Sequence, residues 1–228
     1  MRIVLIIALC AGVLLPAVDV RTKSSPYVIS SIASSNVVIS LSEYLKAYKT
    51  NASTPKDKEF NQVQRFRIAT IIDFDACSRS MLGKFWDKFT TNEQSSFTSK
   101  LRACIESFGY GRASEFLNGI KDLAVKETAD IDGSDYVVQL GTAAIGDKAL
   151  SITLVYKVDL VNGRRVITDV WYDTVVPTEP CRIFVQSIIS SPKWLVPRYR
   201  DRIEKILRDK NREDLFERME RITAQYTK

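Results

Sequence analysis

Between residues 150 and 160 apolar and polar positions alternate. Leu150, Ile152, Leu154, Tyr156, Val158 and Leu160 share one parity, while Ser151, Thr153, Lys157 and Asp159 share the other. A two-residue period of this kind predicts a strand with one apolar face and one mostly wet face. Asn162-Gly163 follows, and the pair suits a type I′ hairpin because both central positions of that turn need positive φ. A further strand is therefore expected over 165–176, with Val166, Val170, Tyr172 and Val176 on one side and Asp169, Trp171 and Asp173 on the other. Upstream, residues 123–129 and 136–142 read as two more strands, joined by a turn at Asp132-Gly133, and Gly146-Asp147 turns the second into the third. The expected sheet is a four-stranded antiparallel meander.

Helical periods flank this block. Residues 27–48 place Val37, Val38, Ile39, Leu41, Tyr44 and Leu45 on an apolar face, residues 50–58 lack any period and read as a loop, and 59–72 form a second helical stretch. Thr90 and Thr91 stand three residues before Glu93 and Gln94, so either threonine can open a helix through a capping box. Phe97, Leu101, Cys104, Ile105 and Phe108 then form one helical face, and Gly109 and Gly111 are expected to end it. After the sheet, 181–189 is a short apolar helix, and Pro192 and Pro197 interrupt the chain. Residues 198–208 carry Tyr199, Ile203, Ile206 and Leu207 on one face, and a last helix carries Leu215, Met219, Ile222 and Tyr226. Its alternating charges read as a solvated outer face. Helices, then a curved antiparallel sheet, then helices make an α+β fold whose apolar sheet face the helices must cover. Sheet curvature leaves a cone that side chains fill or a ligand occupies, and the pattern leaves both open.

Composition narrows the function. With 228 residues, 45% of them apolar, the chain can bury the core of one ordinary domain. The net charge of +6 is spread along the chain, with no basic cluster interleaved with stacking aromatics, so nucleic acid is disfavoured as a partner and anionic membrane surfaces fit at least as well. There is no histidine, which removes the commonest general base and metal ligand and disfavours triad hydrolases and most zinc or iron enzymes. Arg2 precedes an apolar run over residues 3–18 that ends at Asp19. That run is short for a bilayer span and suits a secretory signal over 1–20, with one domain over 21–228. Leu15 lies three residues before the cut after Ala17, where a small residue is preferred, so an uncleaved anchor is the alternative. Cys10 lacks the surroundings of a lipoprotein box. Cys77, Cys104 and Cys181 remain in the expected mature chain, an odd number that allows at most one disulfide. Their spacing matches no metal motif, and buried apolar roles are expected for them.

The block Ile72-Asp73-Phe74, Leu82-Gly83-Lys84-Phe85-Trp86, 90–94 and Phe97, with the later Ile167-Thr168-Asp169-Val170 and Tyr199-Arg200, resembles the MlaC family, the periplasmic phospholipid-binding proteins of the toluene-tolerance group. The similarity runs over about 37–225. It implies an NTF2-like fold and a soluble, monomeric carrier, without cofactor or catalysis, that moves phospholipid between an outer-membrane lipoprotein complex and an inner-membrane MCE and ABC transporter assembly. Two departures stand out: Ile71-Ile72 replaces a proline the family often has ahead of the position of Asp73, and 177–197 looks like extra chain.

A carrier of this kind faces a physical demand. Two acyl chains carry about 30 methylenes, and at about 0.8 kcal/mol each their exposure to water would cost roughly 25 kcal/mol. Only a deep apolar cavity offsets that, while the head group stays at the mouth, where Lys or Arg meets the phosphate. The expected lining is Leu101, Ile105 and Phe108 from the long helix and Leu140, Ile152, Leu154, Tyr156, Val170 and Tyr172 from the sheet. Each of these positions is ordinarily plain core. Two rival readings stand beside the carrier. One is an enzyme on the same cone-shaped fold using Asp159, Asp169, Asp173 or Tyr172, whose carboxylates the alternation points away from Tyr172. The other is a ligand-free interaction module.

Overall fold

The structure, a computed structural model, describes residues 26–145, 148–191 and 193–226. The expected signal segment and the Gly146-Asp147 turn lie outside the described residues. Among the described residues five α-helices precede the sheet: α1 (Pro26–Ala47), α2 (Pro55–Ala69), α3 (Phe74–Leu82), α4 (Thr91–Cys104) and α5 (Tyr110–Asn118). Strands β1 (Ile120–Ile131), β2 (Ser134–Ile145), β3 (Lys148–Val161) and β4 (Arg164–Asp173) form one antiparallel sheet in the order β1-β2-β3-β4. Helices α6 (Cys181–Ile188), α7 (Leu195–Asp209) and α8 (Arg212–Tyr226) follow. The α+β class and the meander are as the sequence pattern predicts. Among the described residues no helix is long and apolar enough to cross a membrane.

Local chemistry explains the turns and helix starts. Asp132 and Gly133 have φ of 53° and 80°, and Asn162 and Gly163 have 50° and 78°, so both hairpins turn as type I′ requires. At α4 the structure chooses Thr90 as the cap: its hydroxyl accepts from the Glu93 N–H, and Glu93 Oε2 accepts from the Thr90 N–H at 2.7 Å. α2 begins at Pro55, earlier than its apolar period suggests, because Thr54 caps it and a proline in the first turn sacrifices no hydrogen bond.

α2 is also inverted in polarity. It buries Asn61 and Gln64 and leaves Phe66 71% exposed, since Asn61 grips the α1–α2 loop through both the N–H and the carbonyl of Lys49. Gly109 and Gly111 do not stop the long helix. The chain passes through a π-helical turn, Ile105–Gly109, straight into α5, and Gly111 serves close packing, its absent Cβ lying 3.1 Å from Thr50 Cγ2.

Both faces of the sheet are covered. On the first, Leu154, Tyr156, Val158, Ile167 and Val170 pack beneath Val38, Leu41 and Leu45 of α1. On the second, Tyr136, Val138, Val155 and Trp171 meet Phe184 and Val185 of α6 and Trp194. The face expected to be wet is therefore a second core. Trp171, which shares its strand parity with Asp169 and Asp173, is 2% exposed and packs edge-on to Phe184 at 5.7 Å between centroids. The extra chain over 177–197 supplies this cover.

A register shift at Thr168 also changes which residues share a face. Lys157 pairs with Asp169 while Val158 pairs with Ile167, so Val166 lies on the opposite face from Val170 and Tyr172. β4 ends at Asp173, which leaves Val175 and Val176 as exposed loop residues.

Candidate functional site

An apolar cavity of about 450 Å³ lies between α3, α4, α7 and α8, with Thr168 and Asp169 of β4 at one side. Its walls come from helix faces that cannot all be packed against the sheet. α4 and the π-helical turn present Phe97, Leu101, Cys104, Ile105 and Phe108, and α3 adds Cys77 and Met81. Leu195, Val196, Tyr199, Ile203 and Ile206 come from α7, and Leu215, Met219 and Ile222 from α8.

Of the nine positions expected to line a cavity, Leu101, Ile105 and Phe108 do so. Ile152, Leu154, Tyr156 and Val170 sit in the main core, and Tyr172 packs against that core, edge-on to Phe116. Leu140 lies on the other side of the sheet. It pairs with Thr153, two residues from Val155 on the same parity, and packs against the second core, so its place with the first face is corrected. The hollow space is thus displaced from the sheet's first face, which α1 fills, to the gap between the helices.

Sequence reading missed the contributions of α3, α7 and α8. The signal was present in the stripes Tyr199, Ile203, Ile206 and Leu215, Met219, Ile222, but alternating surface charge made α8 look like a plain outer helix. What the pattern could not show is that these stripes face a gap as well as the core.

Several ties hold the walls. Asp169 Oδ1 accepts from the Val196 N–H at 3.0 Å and the Val170 N–H at 2.8 Å, fixing the first turn of α7 to β4. Burial outweighs these bonds and pushes the Asp169 carboxyl up to about 6. Arg200 donates from Nε to the Ser80 carbonyl at 2.8 Å, and Lys84 pairs with Glu204 at 2.6 Å, so α7 is clasped to α3 and the turn after it. α8 is held by Arg212, which pairs with Glu93 at 2.6 Å and donates to the Lys88 carbonyl, by the Lys100–Glu220 ion pair, and by the Cys104 thiol donating to the Met219 carbonyl at 3.1 Å. Burial pushes the Cys104 thiol and the Tyr199 hydroxyl up.

The aromatic block at 82–94 is structural in its contacts. Gln94 Nε2 donates to the carbonyls of Trp86 (2.9 Å) and Phe89 (3.2 Å), tying the 3-10 turn Gly83–Lys88 to α4. The Arg79 guanidinium lies 5.5 Å from the centre of the Trp86 ring. Neither Trp86 nor Gln94 lines the cavity.

At the opening of the cavity stand three exposed arginines: Arg202 on α7, and Arg218 and Arg221 on α8. Phe108 stacks on Tyr226 nearby, with ring centroids 4.4 Å apart. The arrangement is an apolar slot with a cationic rim. Among the described residues no group of three or more acidic or thiol side chains converges to hold a metal ion.

Residues 40–178 match the family described as "MlaC protein". The match ends before α6, so α7 and α8, which supply much of the cavity wall, lie beyond it. Among solved structures, the chain is similar to a phospholipid-binding protein from Ralstonia solanacearum determined in complex with a phospholipid, at 14% identity and a TM-score of 0.59, over 87% of this chain and 98% of that one. At that identity the likeness concerns the fold. A comparison with the curated proteins found no match.

Proposed function

This chain belongs to the MlaC family, and from that membership we propose that it is a phospholipid carrier: it shelters acyl chains in the cavity between α3, α4, α7 and α8 and leaves the head group at the arginine rim. It works as a monomer in the periplasm, without catalysis or cofactor, passing lipid between an outer-membrane lipoprotein complex and an inner-membrane MCE and ABC transporter assembly. Transfer between two apolar pockets changes the surroundings of the tails little. The protein need only bind reversibly, and its partners set direction.

The observation that carries the reading is the cavity itself. Its 450 Å³ corresponds to roughly fifteen liquid waters at about 30 Å³ each, and a methylene needs much the same space. That suits one acyl chain. A second requires α7 and α8 to move outward, against three part-exposed ion pairs, each worth about 0–1 kcal/mol, and the hydrogen bonds of Asp169, Arg200, Arg212 and Cys104. The Ralstonia solanacearum protein, a phospholipid complex on the same fold, supports the same reading.

The test is to fill the slot. Ile105→Trp and Met219→Trp place large rings in the cavity from opposite walls. Uptake of a phospholipid with a fluorescent acyl chain is expected to fall at least about tenfold in the double variant, with the fold retained by circular dichroism. Undiminished uptake in a folded double variant would overturn the assignment of the cavity.

A further inference from the structure

The charges around the cavity are unbalanced in one direction. Its lining contains three guanidiniums, those of Arg202, Arg218 and Arg221, and a single carboxylate, Asp169. That carboxylate cannot neutralise the rim. It is buried at the side of the cavity and its Oδ1 is taken up by two backbone N–H groups. Arg221 pairs with Glu217 at 2.6 Å, and Arg202 lies over the Tyr199 ring at 5.6 Å, where it keeps its full charge. Arg218 forms no ion pair among the described residues. Arg102 pairs with Glu106, Arg112 with Glu115 and Arg212 with Glu93, while Arg67, Arg79, Arg198 and Arg208 also form no ion pair among the described residues, so it is their place on the cavity lining that sets Arg202 and Arg218 apart.

Resting on the carrier reading above, we propose that this rim selects lipids whose head groups carry net negative charge, a phosphate diester without an attached ammonium, over zwitterionic ones. Guanidinium presents planar paired donors that match phosphate oxygens. A zwitterionic head group brings a cation into the same field, and its repulsion by the rim offsets the attraction of its phosphate. An uncharged glycerol group meets no such opposition. The rim is exposed, so the effect is modest and screened by salt: two unpaired arginines at exposed-pair strength give about a three- to tenfold preference at low ionic strength. Arg202 and Arg218 determine specificity, while the apolar walls supply affinity for the tails.

The experiment offers the full chain, as recovered from cells, to vesicles containing equal phosphatidylglycerol and phosphatidylethanolamine of matched acyl chains, and identifies the bound lipid by mass spectrometry. The wild type is expected to enrich phosphatidylglycerol at least about threefold, less so as salt is raised. Arg202→Glu with Arg218→Glu is expected to bring the ratio to parity or below, and Arg218→Lys to keep most of the preference. Equal uptake by the wild type, or enrichment that survives the double substitution, overturns the selectivity. Absence of any bound lipid instead overturns the carrier reading on which it rests. A parallel sample with millimolar inorganic phosphate alone separates the sources: a retained phosphate adduct on the wild type, lost in the double variant, would assign the arginines to free phosphate and overturn the lipid assignment. None is expected.

Discussion

Asp169 and Val196 join the last strand to the helix that walls the cavity: the carboxylate Oδ1 on β4 accepts the backbone N–H of the second residue of α7 at 3.0 Å. The bond satisfies a helix-end donor that no carbonyl within α7 can reach. It also leaves a carboxylate buried beside an apolar space, with a pKa pushed up to about 6 by that burial.

The sign of the pH dependence follows. An acid whose folded pKa exceeds its unfolded value of 3.8 binds its proton more tightly when folded, so its contribution to stability is largest below about pH 4 and is lost as pH rises through 6. Ionisation across that range lowers stability by about 3 kcal/mol. Asp169→Asn keeps an acceptor oxygen and removes the charge. It is expected to melt at or above the wild type at pH 7.5, with this advantage shrinking as pH falls from 6 to 4, measured by thermal denaturation across that range. A variant that is several degrees less stable at pH 7.5 would show that the carboxylate's charge is needed.

Gly83 and Arg200 make the second seam. Gly83 has φ of +50°, and a Cβ there would meet Arg200 Cδ at 3.2 Å, where Arg200 crosses to reach the Ser80 carbonyl. Gly83→Ala combines left-handed strain with displacement of that side chain and is expected to lower stability by about 2 kcal/mol. Arg200→Met, which keeps the stem but loses the bond, should cost about 1 kcal/mol. Urea denaturation of both variants checks the order.

Gly141 on β2 answers to space rather than to φ. An added Cβ would lie 2.3 Å from Ile120 Cγ2 and 3.0 Å from the Lys121 carbonyl, where β1 crosses closely at its irregular start. Gly141→Ala is expected to cost about 1–3 kcal/mol. Adding Ile120→Ala should recover only part of this, since the backbone contact remains. Full recovery would place the whole conflict at the isoleucine side chain.

Glu93 titrates in the opposite sense to Asp169. The hydrogen bond from Arg212, joined by the Thr90 backbone and hydroxyl bonds, holds its carboxyl down to about 2. Its contribution is present above its unfolded pKa of 4.5 and is lost as pH falls toward 2. Arg212→Gln is expected to raise the Glu93 midpoint toward the ordinary carboxylate range in a carbon-13 NMR titration. An unmoved midpoint would assign the shift to the Thr90 cap alone.

The contrast between Trp171 and Thr90 shows how much was legible in the sequence. The capping box is local: Thr90 and Glu93 find each other within one turn, so the pattern states the outcome. Likewise Asn162-Gly163 needs only its own backbone to turn. Trp171, between acids, looks solvent-facing until α6 and Trp194 arrive from later in the chain, and no period within β4 announces them. The shift at Thr168 reverses the face of Val166 by inserting one residue, which strict alternation cannot represent. The candidate site suffered the same limit. Leu101, Ile105 and Phe108 were on the right helix, but a stripe such as Leu215, Met219 and Ile222 reads identically whether its neighbour is a packed side chain or a gap. Arg218 sits on a helix whose alternating charges mask its lack of a carboxylate partner, and Arg202 stands apart from it on α7.

Native mass spectrometry of the protein purified from cells tests the carrier account most directly. The account predicts a population heavier than the polypeptide by the mass of a phospholipid, released by collisional activation and reduced in the Ile105→Trp, Met219→Trp variant. Wild-type protein that emerges folded and empty, and that stays empty after incubation with phospholipid vesicles, would contradict it.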